Sequence, residues 1–232
     1  MTRLLHQAKL TTPTQTELQA LIDLFNSGDL ERTHSAAQAL LAQYPTSFMA
    51  ANILAGTLLT QEKWTDAIAA YSLVLELNPD YEIGYFNQGV AFEELSNSRD
   101  AIDSYSKALK INPKFPQALI NRGLIYEFQG QNLIALTDFI AYREATSDTS
   151  MLLKEAVAHF NLGSFKDAQN ILQKILSETP DLQGPLFEMG NVCLRMGEYG
   201  KAAHYYERYC DLNPSDADVH INQIGRASCR ER

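Results

Sequence analysis

Residues 82–115 read EIGYFNQGVAFEELSNSRDAIDSYSKALKINPKF, and the 34 residues before them, 48–81, read FMAANILAGTLLTQEKWTDAIAAYSLVLELNPDY. Aligned end to end, the two stretches place Gly89 over Ala55, Ala101 over Ala67, Tyr105 over Tyr71 and Pro113 over Pro79. The register extends in both directions. Small residues recur at Ala55, Gly89, Gly123, Ala156 and Gly190, at intervals of 34, 34, 33 and 34, and alanines at 67, 101, 135, 168 and 202 follow the same intervals. Four residues beyond each alanine stands a large side chain: Tyr71, Tyr105, Phe139, Leu172 and Tyr206. On a helix that spacing is one turn along the same face. Prolines 45, 79, 113, 180 and 214 close the units, with Ser147 where one is missing.

Apolar positions three and four apart, as in Leu54, Leu58 and Leu59 or Ile102, Tyr105 and Leu109, predict two helices of about 12–14 residues per unit. Between them Gly28, Gly130, Gly163 and Gly197 fall where a helix ends in a left-handed residue. Glu62 and Ser96 break that rule, and in the third unit the neighbouring Asn97 is expected to take the left-handed position instead. The second helix is expected to stop before its proline, as at Asn78-Pro79, Asn112-Pro113 and Asn213-Pro214. The small residues imply a seam where two helices approach closely, with Gly89 and Ala101 as one expected contact. A lone hairpin cannot bury its apolar face, so consecutive hairpins must stack.

Small residue, alanine, aromatic and proline at these offsets resemble the tetratricopeptide repeat, a 34-residue helix-turn-helix unit. The resemblance covers 14–47, 48–81, 82–115, 116–148, 149–182 and 183–216, after an N-terminal segment 1–13. It implies an all-α fold, an α-solenoid wound as a right-handed superhelix with a concave groove lined by first helices. The first unit departs most, with Leu21 and Thr33 at the small positions and Ala37 at the aromatic one, as in a terminal capping repeat. The fifth carries His159 in a large apolar slot. Residues 217–223 open a seventh unit whose register fails at Ile224. The nonapeptide 224–232, IGRASCRER, resembles a translated sequencing-adapter oligonucleotide and is left out of the fold argument. On that reading the chain is the N-terminal fragment of a longer bacterial protein.

Composition narrows the function. Nineteen Lys and Arg against 28 Asp and Glu give a formal charge of −9, and without the three Arg and one Glu of the last nine residues the charge is −11. Such a surface repels phosphate backbones, so nucleic acid is not an expected partner. No stretch is apolar enough to span a bilayer and the start lacks a secretory signal, which predicts a cytoplasmic protein without membrane attachment. Cys193, Cys210 and Cys229 form no Cys-x-x-Cys pair, and Cys193 and Cys210 read as buried thiols. His6, His34, His159, His204 and His220 have no second ligand at helical spacing, so neither a metal nor another cofactor is expected, and His159 reads as a core histidine. The sequence holds no phosphate-binding glycine loop, nucleophile elbow or zinc-protease helix, and the visible chain reads as non-catalytic.

The expected site is the concave groove. Asn87, Asn121 and Asn222 share one register, interrupted by Gln19, Ile53, Lys154 and Glu188. Amides in a row can grip the main chain of an extended peptide, and the row resembles the asparagine ladder of O-GlcNAc transferase repeat domains. Phe86, Val90, Ile120 and Leu124 are the expected apolar floor, with Glu93, Glu94 and Glu127 as rim charges, which together favour an apolar or basic protein or peptide segment. The lysine-asparagine clamp of chaperone adaptors is absent, its places being held by Phe86, Ile120, Val90 and Leu124. An alternative comes from Gln15 to Gln19, Tyr44-Pro45 and Asn52 to Leu54, which resemble the opening repeats of bacterial proteins whose array precedes a glycosyltransferase, sulfotransferase or methyltransferase domain. The array would then recruit substrate for an enzyme domain further along.

Overall fold

The computed structural model describes residues 12–213. The last proline, the seventh unit, Asn222, the adapter-like tail, His6, His220 and Cys229 lie outside them. Among the described residues there are twelve α-helices and no strand. The chain divides into two compact units after Ala118.

The first unit holds α1 (Gln15–Asn26), α2 (Leu30–Gln43), α3 (Phe48–Thr60), α4 (Trp64–Leu77), α5 (Glu82–Glu94) and α6 (Ser98–Ile111). Short polar side chains start several of them. The Thr14 hydroxyl accepts from the Glu17 N–H while the Glu17 carboxylate accepts from the Thr14 N–H at 2.7 Å, a reciprocal cap. Asp29, Ser47 and Asn97 cap α2, α3 and α6. Helices pack in sequence order, α3 on α4 and α5 on α6 as hairpins, then α2 on α3 and α4 on α5 between them. In the second unit α7 (Pro116–Phe128), which begins before the division, is followed by α8 (Asn132–Thr146), α9 (Leu152–Asn161), α10 (Phe165–Glu178), α11 (Gln183–Arg195) and α12 (Tyr199–Leu212). There α9 packs on α10, α11 on α12, α8 on α9 and α10 on α11. Within each unit this is the all-α solenoid plan that the repeat demanded.

The core follows the sequence register. Tyr71, Tyr105, Phe139, Leu172 and Tyr206 are at most 1% exposed, and Ala67, Ala101, Ala135, Ala168 and Ala202 are fully buried. The close approach at Gly89 differs from the expected one. A Cβ there would lie 2.6 Å from Cε1 of Tyr105, so the aromatic ring, and not Ala101, fills the gap above the glycine. Gly123 meets Phe139 and Gly190 meets Tyr206 in the same way.

Two turns also correct the sequence reading. Glu62 and Ser96 themselves adopt φ of 58° and 57°, in the place where other hairpins use Gly28, Gly130, Gly163 and Gly197. Asn97 stays at φ −91° and caps α6. The cause is the closing bond: the Asn97 N–H must reach the Phe92 carbonyl (2.9 Å) while the Ser96 N–H bonds Glu93 O (2.8 Å), and only a left-handed residue at 96 permits both. Replacing Ser96 by glycine is therefore expected to stabilise the fold by about 0.5–1 kcal/mol, measurable by urea unfolding. Where proline is missing, α8 runs to 15 residues against 14 in α4 and α6, and Ser147 ends it at φ 59°.

Two buried acids belong to α8 and its neighbours. Asp138 accepts a forked pair of bonds from Arg122 (2.9 and 2.7 Å), and Glu155 one from Arg143 (2.8 and 3.3 Å); each acid is 2% exposed. For Arg122, burial works against the charge, but the hydrogen bond and the field of Asp138 outweigh it and hold the guanidinium above its usual range.

Candidate functional site

The residues expected to line a groove fall on α5 and α7, and each set is described in its own unit. On α5, Phe86 is half-buried and packs against Tyr105 and Phe115, with ring centroids 5.8 and 5.1 Å apart. Val90 is half-buried, whereas Glu93 and Glu94 are exposed. Glu93 is not a loose rim charge, because the Tyr105 hydroxyl donates to its carboxylate at 2.6 Å. Asn87 also departs from the ladder picture: its amide donates to the Tyr71 hydroxyl at 2.9 Å, tying α5 back to α4. Burial holds that tyrosine in its neutral form, its phenol pushed up to about 12 even though the Asn87 bond works the other way.

On α7 of the second unit, Ile120 and Asn121 are half-buried and Leu124 is 36% exposed. Glu127 does not present an open charge. The Lys154 ammonium on α9 donates to it at 2.8 Å, so the charge that was expected to attract a basic ligand is already paired.

The second unit also contains an open pocket of about 430 Å³ between α7, α9, α11 and α12. Leu153, Val157, Phe187 and Tyr209 form its apolar lining, and Glu127, Lys154 and Glu188 carry its charges. Phe187 and Tyr209 stand as a tilted aromatic pair, 5.4 Å between centroids. Glu188 is held by a relay, in which the Tyr206 hydroxyl donates to Asn191 Oδ1 at 2.8 Å and the Asn191 amide donates to Glu188 at 3.2 Å. Of this pocket, only Glu127 was singled out for binding in the sequence. Lys154 and Glu188 stood there as interruptions of an asparagine register, yet that register is what places them here.

Other candidates resolve without a site. His159 is half-buried and lines an open cavity with Arg143 and Glu155, so it is not the core residue that its slot suggested. Cys193 is fully buried, with its thiol pushed up to about 11 by burial, which keeps it protonated and unreactive. Cys210 is only half-buried. Among the described residues no group of three or more His, Cys, Asp or Glu is placed to hold a metal, and no helix is long and apolar enough to cross a membrane.

These hairpins define a helical repeat protein, in which consecutive two-helix units bury a shared core. The tetratricopeptide repeat models match residues 18–82, 83–115, 104–137 and 185–216, and the chain belongs to the tetratricopeptide repeat family. Solved structures with this fold include a tetratricopeptide repeat protein from Parabacteroides merdae, 17% identical, with 92% of this chain and 98% of that one aligned at a TM-score of 0.62. YrrB, described as a repeat protein with an unusual peptide-binding site, is also 17% identical, aligned over 81% of this chain and 98% of its own with a TM-score of 0.72. MamA from Desulfovibrio magneticus is 16% identical over 72% of this chain and 96% of its own, at a TM-score of 0.62. The sequence matches no curated protein sequence.

Proposed function

We propose that the chain is a non-catalytic scaffold that binds a protein or peptide segment on its first-helix faces. The observation that carries this reading is the second unit's open pocket, where apolar walls and charged groups converge on a volume suited to side chains of a partner. The candidate contacts are Phe86, Asn87, Val90, Glu93 and Glu94 on α5 in the first unit and, taken by themselves, Ile120, Asn121, Leu124 and Glu127 on α7 in the second. Both sets rest on packed helices and not on loops, and a rigid surface loses little entropy when it binds. The peptide-binding site named for YrrB supports the same use of this fold. Because Asn87 is tied to Tyr71, recognition relies more on side-chain pockets and less on a continuous amide row.

The test is an array of 15-residue peptides probed with the full chain and with a variant carrying Glu93→Lys and Glu94→Lys, the exposed acids of α5. Peptides rich in apolar and basic residues are expected to bind the parent chain, more weakly as salt rises, and to bind the variant less tightly and with less dependence on salt. An array with no binder to the parent chain defeats the scaffold reading. Equal binding to parent and variant at low salt removes its electrostatic part.

A further inference from the structure

We infer that the turn joining α7 to α8 is a self-association surface, on which Phe128, Leu133 and Ile134 of one copy pack against the same three residues of a second. The contact goes beyond the scaffold reading and does not depend on what the first-helix faces bind. Phe128 ends α7 and is 90% exposed, while Leu133 and Ile134 lie in the first turn of α8 at 66% and 41%. They take the register positions that hold Glu94, Arg99 and Asp100 in the preceding hairpin and Asn161, Lys166 and Asp167 in the following one. A solvated tip gains nothing from that exchange, and the core of the hairpin is already filled by Ala135, Leu136 and Phe139. Closing bonds from the Gly130 N–H to Glu127 O (2.9 Å) and from the Gln131 N–H to Tyr126 O (2.8 Å) hold the two helix ends together, so the three apolar side chains share one tip. Exposed apolar groups gathered in this way mark interaction surfaces, whereas scattered ones do not.

Charge and hydrogen bonding point to a second copy as the occupant. A chain with a formal charge of −9 repels its own kind wherever charged surfaces meet. Residues 128–137, FQGQNLIALT, contain no ionisable side chain, and the acids on either side are already neutralised, Glu127 by Lys154 and Asp138 by Arg122. Two copies can therefore meet here at little electrostatic cost. In a two-fold contact the same patch serves both partners, so its polar rim must complement itself. Amides meet that demand, since each carries donors and an acceptor. Gln129, Gln131 and Asn132 stand beside the apolar tip, and the Gln131 amide donates to Gln129 Oε1 at 3.0 Å, which leaves the Gln129 N–H donors and the Gln131 carbonyl to pair across the contact. A bilayer interior would offer those amides no partner. Three side chains present roughly 300–400 Å² per copy, about half of the ~800 Å² per partner of a stable interface. The contact is accordingly a weak equilibrium, with a dissociation constant on the order of 0.1 mM, and not a permanent dimer.

The experiment is a dilution series of the full ¹⁵N-labelled chain from about 1 mM to about 10 µM, followed by sedimentation equilibrium and by amide chemical shifts. The mean mass is expected to rise toward twice that of the monomer at the upper end, and the concentration-dependent shifts to fall on residues 128–137. Added salt should strengthen the association by screening the like charges. Phe128→Ser combined with Leu133→Ser should weaken it at least about tenfold, leaving the melting temperature at the lowest concentration unchanged. Leu95→Ser, which removes an exposed leucine from the preceding hairpin turn, is the control and should leave the equilibrium as it was. A mass that stays monomeric at about 1 mM overturns the inference, as does association undiminished by the double variant, or shifts confined to residues outside 128–137. Binding to phosphatidylcholine vesicles that the double variant abolishes, in a chain that stays monomeric, would assign the tip to a bilayer and equally overturn it. None of these outcomes bears on the peptide array, by which the scaffold reading stands or falls.

Discussion

Asp138→Ala is expected to lower the unfolding free energy by about 3–5 kcal/mol, read as a shift of the urea midpoint at constant slope. The carboxylate is 2% exposed and receives a forked pair of bonds from Arg122. Truncation removes the acceptor of both bonds from a guanidinium whose side chain is only 20% exposed. The loss therefore includes the cost of removing the carboxylate from beside a buried guanidinium and is not the net value of the pair. A second variant separates the two. Met189 and Ile171 occupy the places of Arg122 and Asp138 in later repeats, so Arg122→Met combined with Asp138→Ile replaces both partners by residues the architecture already accepts. That double variant should recover most of the stability lost in Asp138→Ala, because it removes the buried guanidinium together with its acceptor. A double variant as unstable as the single one would show that the ion pair itself holds the second unit together.

The second large effect concerns the ring above Gly89. Tyr105→Ala removes a fully buried aromatic side chain and its bond to Glu93, and should cost about 3–5 kcal/mol. Gly89→Ala in the parent chain should be destabilising by about 1–3 kcal/mol, since the new methyl would stand 2.6 Å from a ring that has no room to retreat. In the Tyr105→Ala background the sign is expected to reverse. With the ring gone, alanine is accommodated and contributes its better helix propensity, worth about 1 kcal/mol over glycine. The coupling between the two positions, measured as a double-mutant cycle, tests whether this glycine exists for that ring. Additive effects would show that it does not.

Most of the fold was legible because the repeat writes the same physical demand several times over. One instance of a small residue, an alanine and a large side chain at these offsets is a weak pattern; five in register leave few alternatives to stacked hairpins. The turns were less legible. Ser96 and Glu62 are poor left-handed residues judged alone, and local propensity pointed to Asn97. The closing bond to Phe92 overrode that preference, because a hairpin already committed to packing gives position 96 no other geometry. Similarly, Gly89 was recognised as a point of close approach, but its partner was assigned to the nearest small residue. Rings as large as that of Tyr105 reach across the interface from one turn away, and the sequence does not show how far.

The candidate site divides along the same line. Periodicity alone fixed which helices face which, which residues fill the core, and that Asn87, Asn121, Lys154 and Glu188 share a register, since each follows from a repeat length near 34 and 3.6 residues per turn. Pairings among polar side chains were decided only in three dimensions: Lys154 on Glu127, Tyr105 on Glu93, Asn87 on Tyr71, and the relay from Tyr206 through Asn191 to Glu188. These contacts join residues from 3 to 27 positions apart, and each was chosen by long, rotatable side chains settling on the nearest complementary group. Burial of apolar surface is a property that a sequence can repeat and advertise. Where an individual charge finds its partner is a property of the packed chain.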